Sequence, residues 1–281
     1  MKRDATKLVL GAVAYDAKVV PIWEGFQAWL TARGLPFDYL LFSSYERLVE
    51  AHLRGEVDVA WNSPLAWLEA ERAARKLGGS ATALAMRDTD RDLTSVVLVR
   101  KGSGFAGAAA LRGKRVAVGA SDSPQATLIP LLALAEAGLD PRDCEVLRHE
   151  VLVGKHGDHV GGERDAVKAL LEGRADAACI IDGNRLAFTR DGLLPASATE
   201  VLLQTAPYDH CNLTVLGAPT PAHRRLLELL LAMSYDDAQV RPLLDLEGLK
   251  AWLPGRTEGY ALLARALDRF GTIDAWLEQQ R

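Results

Sequence analysis

The sequence predicts an α/β fold built as two similar lobes, on three observations. Short apolar, β-branched runs alternate with amphipathic stretches of helical length, the pattern of parallel strands joined by crossover helices. One segment of the first half recurs in the second. The 281 residues also exceed what one average domain needs, at about 100–200 residues per domain.

In chain order the strand-like runs are Lys7–Val13, Phe37–Phe42, Val57–Trp61, Ala81–Met86, Thr94–Arg100, Arg115–Val118, Cys144–Arg148, Ala175–Ile181, Val201–Gln204 and Asn212–Leu216. Each is short and rich in Val, Ile, Leu or aromatic residues, as strands of a covered sheet are. Helical spacing of apolar residues marks Val20–Arg33, Tyr45–Arg54, Leu65–Leu77, Gln125–Ala137 and Asp165–Glu172. Three starts carry capping signals. Ser43 and Glu46 have capping-box spacing, while Ser63-Pro64 and Ser123-Pro124 place a serine at N-cap and a proline at N1. Beyond Thr220 the pattern is wholly helical, with Pro221, Pro242 and Pro254 as punctuation.

The internal match is specific. The run from Leu48 to Ala60 lies on the run from Ala166 to Ala178, with Leu53 on Leu171, Gly55 on Gly173 and Asp58 on Asp176, an offset of 118. In both copies a helix stops at a glycine suited to the left-handed position after a helix end, and a strand follows. Upstream, Leu8-Val-Leu-Gly11 pairs with Val116-Ala-Val-Gly119 at an offset of 108. The second copy then carries about ten extra residues, and the glycine-rich stretch from His149 to Glu163 is where they fit.

Composition narrows the function. With 33 basic and 37 acidic residues the net charge is −4, so nothing favours nucleic acid or an anionic membrane. Three cysteines, Cys144, Cys179 and Cys211, make no disulfide framework. No run approaches 18 apolar residues, and the start lacks the pattern of a secretory signal, so the chain as written reads as cytoplasmic without membrane insertion. A periplasmic protein is the reading if a leader has been trimmed or missed. No phosphate loop or dinucleotide fingerprint is present, and no cofactor is expected.

Ligands of open α/β sheets sit beyond the carboxyl ends of strands, near helix N-termini. That rule selects Tyr15, the turn Trp61-Asn62-Ser63, and Ser121, Ser123 and Gln125. Two polar clusters join them. One is Lys155 to His159, including His156 and Asp158, and the other is Tyr208-Asp209-His210-Cys211-Asn212. Their histidines and Cys211 match no established metal spacing, so no metal is expected. His210 and Cys211, adjacent on a strand, would point to opposite faces and form no Cys–His pair.

The opening strand with Tyr15, Gly55-Glu-Val-Asp58-Val-Ala-Trp61, Leu111-Arg-Gly-Lys-Arg-Val-Ala-Val118 leading to Ser121-Asp-Ser123, Leu139-Asp-Pro141, and Ala166-Val with Gly173-Arg-Ala-Asp176 resemble one family. It is the phosphate, phosphite and phosphonate substrate-binding proteins of ABC importers, with a type II periplasmic-binding-protein fold. The resemblance implies a monomer gripping a small anionic or zwitterionic ligand between two lobes, with an ABC permease as partner. It puts Tyr15, Asn62, Ser63, Ser121 and Ser123 around an oxyanion. It also implies a two-strand hinge near Ser95–Val99 and Cys211–Val215, with residues 1–96 and 214–281 in one lobe and 97–213 in the other. The C-terminal helices would pack on the first lobe. The alternative is a cytoplasmic enzyme on the same scaffold, using the Lys155–His159 and His210–Cys211 clusters for acid–base chemistry.

Overall fold

A computed structural model describes residues 6–150 and 160–271. They fall into two compact units, Met1–Arg91 with Asp209–Tyr260, and Asp92–Tyr208 with Ala261–Arg281. The first segment runs β1 (Leu8–Val13), α1 (Val19–Thr31), β2 (Phe37–Phe42), α2 (Tyr45–Leu53), β3 (Val59–Asn62), α3 (Pro64–Lys76) and β4 (Ala81–Arg87). The second unit then supplies β5 (Ser95–Arg100), β6 (Arg115–Val118), α4 (Ile129–Glu136), β7 (Glu145–Arg148), α5 (Val160–Leu171), β8 (Ala177–Ile181), α6 (Asp182–Arg190) and β9 (Thr199–Gln204). The chain returns to the first unit for β10 (Asn212–Leu216), α7 (Pro221–Leu231), α8 (Arg241–Glu247) and β11 (Trp252–Pro254). Helix α9 (Ala261–Phe270) belongs to the second unit.

The first unit is a six-stranded sheet ordered β11-β4-β10-β3-β1-β2, with β1, β2 and β3 parallel and β10 antiparallel to both β3 and β4. Strand β1 is buried on both faces. Leu8, Leu10 and Ala12 join a core with α1, α7 and α8, whereas Val9 and Val13 join α2 and α3, as period-two alternation requires. Between them Gly11 lets α2 close onto the sheet, since an added Cβ would lie 2.3 Å from Leu48 Cδ1. The second unit is a five-stranded sheet ordered β7-β6-β8-β5-β9. Strands β6, β7 and β8 are parallel there, and β5 is antiparallel to β8 and β9.

The recurring Gly and Asp do the same work in both units. Gly55 and Gly173 have φ of 71° and 74°. Asp58 accepts from Val9 N–H at 2.8 Å and its own N–H donates to Val9 O at 2.8 Å. Asp176 makes the same pair with Arg115, at 2.9 and 2.8 Å. The strand registers correct the upstream alignment. Leu10 lies beside Val59 and Val116 beside Ala177, so the first strands correspond at an offset of 106 rather than 108. A two-residue slip keeps every side chain on its own face, which is why the sequence alone did not reject it.

Three other expectations differ from the structure. The cap of α2 is Ser44, accepting from Arg47 N–H at 3.4 Å, one residue after Ser43. Helix α6 had no sequence assignment, because Gly183 and Asn184 are weak helix formers; Phe188, fully buried, anchors it. The tail is not wholly helical. Trp252 pins β11 to the core by edge-on contacts with Trp61 and Phe26 at 5.7 and 5.8 Å, and Pro254 is tolerated because β11 is an edge strand. The tail is also divided between units, with α9 packing on α4 in the second.

His52 gives the first unit a pH dependence. Burial lowers its pKa to about 4, against an opposing pull from Asp58, while the unfolded value is near 6.5. The folded pKa is depressed, so the unfolded chain takes up this proton first as pH falls. Stability from this group is complete above pH 6.5 and drains away between pH 6.5 and about 4, by about 3 kcal/mol. Urea titrations at pH 7.5 and 4.5 should show that loss, and His52→Leu should shrink it.

Candidate functional site

The carboxyl ends of β1, β3 and β4 lie at one end of the first unit's sheet, together with the start of antiparallel β10. There Ser63 caps α3, its Oγ accepting from Ala66 N–H at 3.2 Å with Pro64 at N1. Because Oγ is the acceptor in that bond, the hydroxyl proton remains available to donate. Tyr15 is half-buried, packs on the core beside β1, and has Lys18 Nζ 5.8 Å from its ring.

Asn62 ends β3 fully buried and opens a polar chain that the sequence reading missed. Its Nδ2 donates to Thr214 Oγ1, Thr214 Oγ1 donates to Asn212 Oδ1, and Asn212 Nδ2 donates to Tyr260 Oη, each at 2.8 Å. Tyr260 Oη donates in turn to His210 O at 2.8 Å. Asn62 Oδ1 is buried with no hydrogen-bond partner among the described residues. The signal in the sequence was Asn212-Leu-Thr214, two polar residues on one face of an otherwise apolar strand. Trp61 points to the opposite face, 6% exposed, with the Arg87 guanidinium 5.2 Å from its ring. Its surroundings are the core of Trp252, Phe26 and Leu213, so its placement speaks for packing.

Next to Trp61, Arg87 grips Asp90 with two bonds, Nε–Oδ2 at 2.5 Å and Nη2–Oδ1 at 2.9 Å, and reaches Glu247 Oε1 at 3.4 Å. Burial alone would raise the Asp90 pKa, but the charge and hydrogen bonds of Arg87 hold it down at about 2. His210 Nδ1 lies 3.1 Å from Cys211 Sγ and 3.5 Å from Asp90 Oδ1. This corrects the expectation that His210 and Cys211 could not meet. Strand β10 begins only at Asn212, so the two residues precede it and strand alternation does not apply to them.

The second unit also has a serine-capped start, but it follows β6, the counterpart of β1, so it does not stand in the place of the Ser63 turn. Ser123 Oγ accepts from Ala126 N–H at 3.2 Å, with Pro124 at N1, and a π turn over Pro124–Leu128 leads into α4. Ser121 is half-buried and its N–H donates to Glu150 Oε1 at 3.0 Å. Gln125 is 5% exposed, and its carbonyl accepts from Ser95 Oγ at 2.5 Å.

Tyr208 was expected to line the ligand site, but its hydroxyl has another task. It is 1% exposed and bonds Ser95 Oγ at 2.7 Å, while Ser95 N–H donates to Thr205 Oγ1 at 2.9 Å. Burial raises the phenol's pKa, so it stays a neutral donor that ties β5 to the turn holding Gln125. Tyr208→Phe should lower stability by about 1 kcal/mol and leave oxyanion affinity within twofold, as read by urea unfolding and calorimetry. Lys155, His156, Asp158 and His159 lie outside the described residues.

A family model described as the periplasmic, phosphonate substrate-binding protein of an ABC transporter matches residues 12–260. The chain belongs to that family. A search of curated protein sequences returns no significant match. Among solved structures, this phosphonate-binding family member is similar to PhnD1 of Prochlorococcus marinus MIT 9301 in complex with methylphosphonate, at 15% identity and a TM-score of 0.68, over 96% of this chain and 100% of that one. It is also similar to XAC2383 of Xanthomonas citri bound to ATP, at 19% and 0.68, over 94% and 99%. The aliphatic sulphonate-binding protein SsuA of Escherichia coli follows at 18% and 0.57, over 97% and 89%. At such identities the likeness concerns the fold, which is the two-sheet, two-lobe periplasmic-binding-protein arrangement. No described helix of this family member is long and apolar enough to cross a membrane.

Proposed function

We propose that the chain is the solute-binding component of an importer and takes a small phosphonate or phosphate-like oxyanion. The observation that carries the reading is a Ser–Pro helix start in each unit, after β3 in the first and after β6 in the second. In each unit a serine Oγ accepts from its own helix and retains its proton for an anion at the helix N-terminus, where the backbone dipole also favours negative charge. Asn62 Oδ1 accepts but cannot donate, which suits a ligand that also bears a P–OH or an ammonium group. The family membership supports the same reading, as does the methylphosphonate complex of one structural relative.

An ABC permease is the partner this role requires, the protein works as a monomer, and its compartment is the periplasm. Cell fractionation and size-exclusion chromatography check the last two. A thermal-shift and calorimetry panel of phosphate, phosphite, methylphosphonate, aminoethylphosphonate, alkanesulphonates and carboxylates tests the ligand. An oxyanion present at 100 times its dissociation constant should stabilise by about 2.7 kcal/mol. Silence from every phosphorus oxyanion, or a response to carboxylates alone, would overturn the reading.

A further inference from the structure

The cluster of Asp90, His210 and Cys211 offers an oxygen, a nitrogen and a sulfur within 4.8 Å of one another. It lies wholly within the first unit, and no residue of the proposed oxyanion site belongs to it. We infer that these three side chains form a binding site for a zinc-class divalent metal ion.

The spacing fits. With metal–sulfur near 2.3 Å and metal–nitrogen or –oxygen near 2.0–2.2 Å, tetrahedral ligands stand about 3.3–3.7 Å apart. The His210 Nδ1–Cys211 Sγ distance is 3.1 Å, the Nδ1–Asp90 Oδ1 distance is 3.5 Å, and all three ligand atoms lie within 4.8 Å of one another, so side-chain shifts of up to about an ångström bring them to these spacings. The donor types fit as well. Thiolate, imidazole and carboxylate together suit zinc or cobalt(II) and disfavour magnesium or calcium, which prefer all-oxygen shells.

The charges balance. Binding releases the Cys211 thiol proton to solvent, and the resulting thiolate with the Asp90 carboxylate neutralises a divalent cation, while Arg87 remains paired with Glu247. Arg87 becomes the outer partner that fixes the carboxylate, as the bonded neighbours of metal ligands commonly do. The backbone holds the frame, His210 N–H donating to Asp90 O at 2.8 Å. His210 is the most exposed of the three, with 12% of its side chain open, which leaves the fourth position for water or a small ligand.

Titration of the purified, metal-stripped full chain with cobalt(II) tests this. The expected result is one equivalent bound, with a thiolate-to-cobalt charge-transfer band and the visible absorption of a four-coordinate ion, both displaced by zinc. Cys211→Ser should lose the charge-transfer band, and His210→Gln should weaken binding at least tenfold. Cys144→Ser should retain both features. Circular dichroism of each variant confirms that it is folded, and His210→Gln at the more open position keeps the test decisive if Cys211→Ser does not fold. Absence of a cobalt complex in the wild type, or the same spectrum in folded Cys211→Ser or unchanged affinity in folded His210→Gln, would overturn the inference.

Discussion

Replacing Arg87 with alanine should destabilise the first unit by about 3–5 kcal/mol, the range for breaking a buried ion pair from one side. Arg87 faces Asp90, whose side chain is 2% exposed, and Glu247, at 5%. Removing the guanidinium takes the Arg87 charge away from both buried carboxylates and also strips a contact from the Trp61 ring. It further frees the Glu247 carbonyl that Arg87 Nη1 bonds at 2.8 Å. Arg87→Lys should fall between, because a point charge replaces one arm of the planar fork. Calorimetry should place the lost stability in a transition shared by Trp61 and Trp252, readable by tryptophan fluorescence. A change below about 1 kcal/mol would mean that the pair behaves like an exposed one.

Ser63→Asp should abolish oxyanion binding while keeping α3 intact. Aspartate is as good an N-cap as serine, so it can accept from Ala66 N–H as Ser63 does. It has no proton to give and brings a negative charge to where the anion would sit. Two unit charges about 4 Å apart at an effective dielectric near 20 repel by about 4 kcal/mol, roughly a thousandfold in affinity. Ser63→Thr, which keeps cap and hydroxyl, should bind within a few-fold of wild type. The corresponding substitutions at Ser123 test the second unit's turn independently, with calorimetry for affinity and urea unfolding for the cap. Retained affinity in Ser63→Asp would remove the α3 N-terminus from the site.

What the sequence made legible were features with a local cause. Ser63-Pro64 and Ser123-Pro124 cap helices as their order dictates, and the Gly–Asp recurrence marks the same turn twice. What it hid were features set by tertiary pairing. Trp252 reads as part of a helical tail, yet ring contacts with Trp61 and Phe26, far away in sequence, hold it as an edge strand. Arg87 and Asp90 look like surface charge until Glu247 and His210 are brought beside them. The buried chain from Asn62 to Tyr260 spans partners 152 and 48 residues apart, beyond any periodicity argument.

The place of β10 between β3 and β4 sets a schedule for synthesis. When β4 leaves the ribosome its central neighbour does not yet exist, and all of the second unit's strands are made first. Translation must pass Leu216 before the gap can close, and α9 of the second unit follows later still. Neither unit can finish folding early. The edges of β3 and β4 that β10 covers therefore stay unpaired until residues 212–216 have been made, whatever the rest of the chain has already folded.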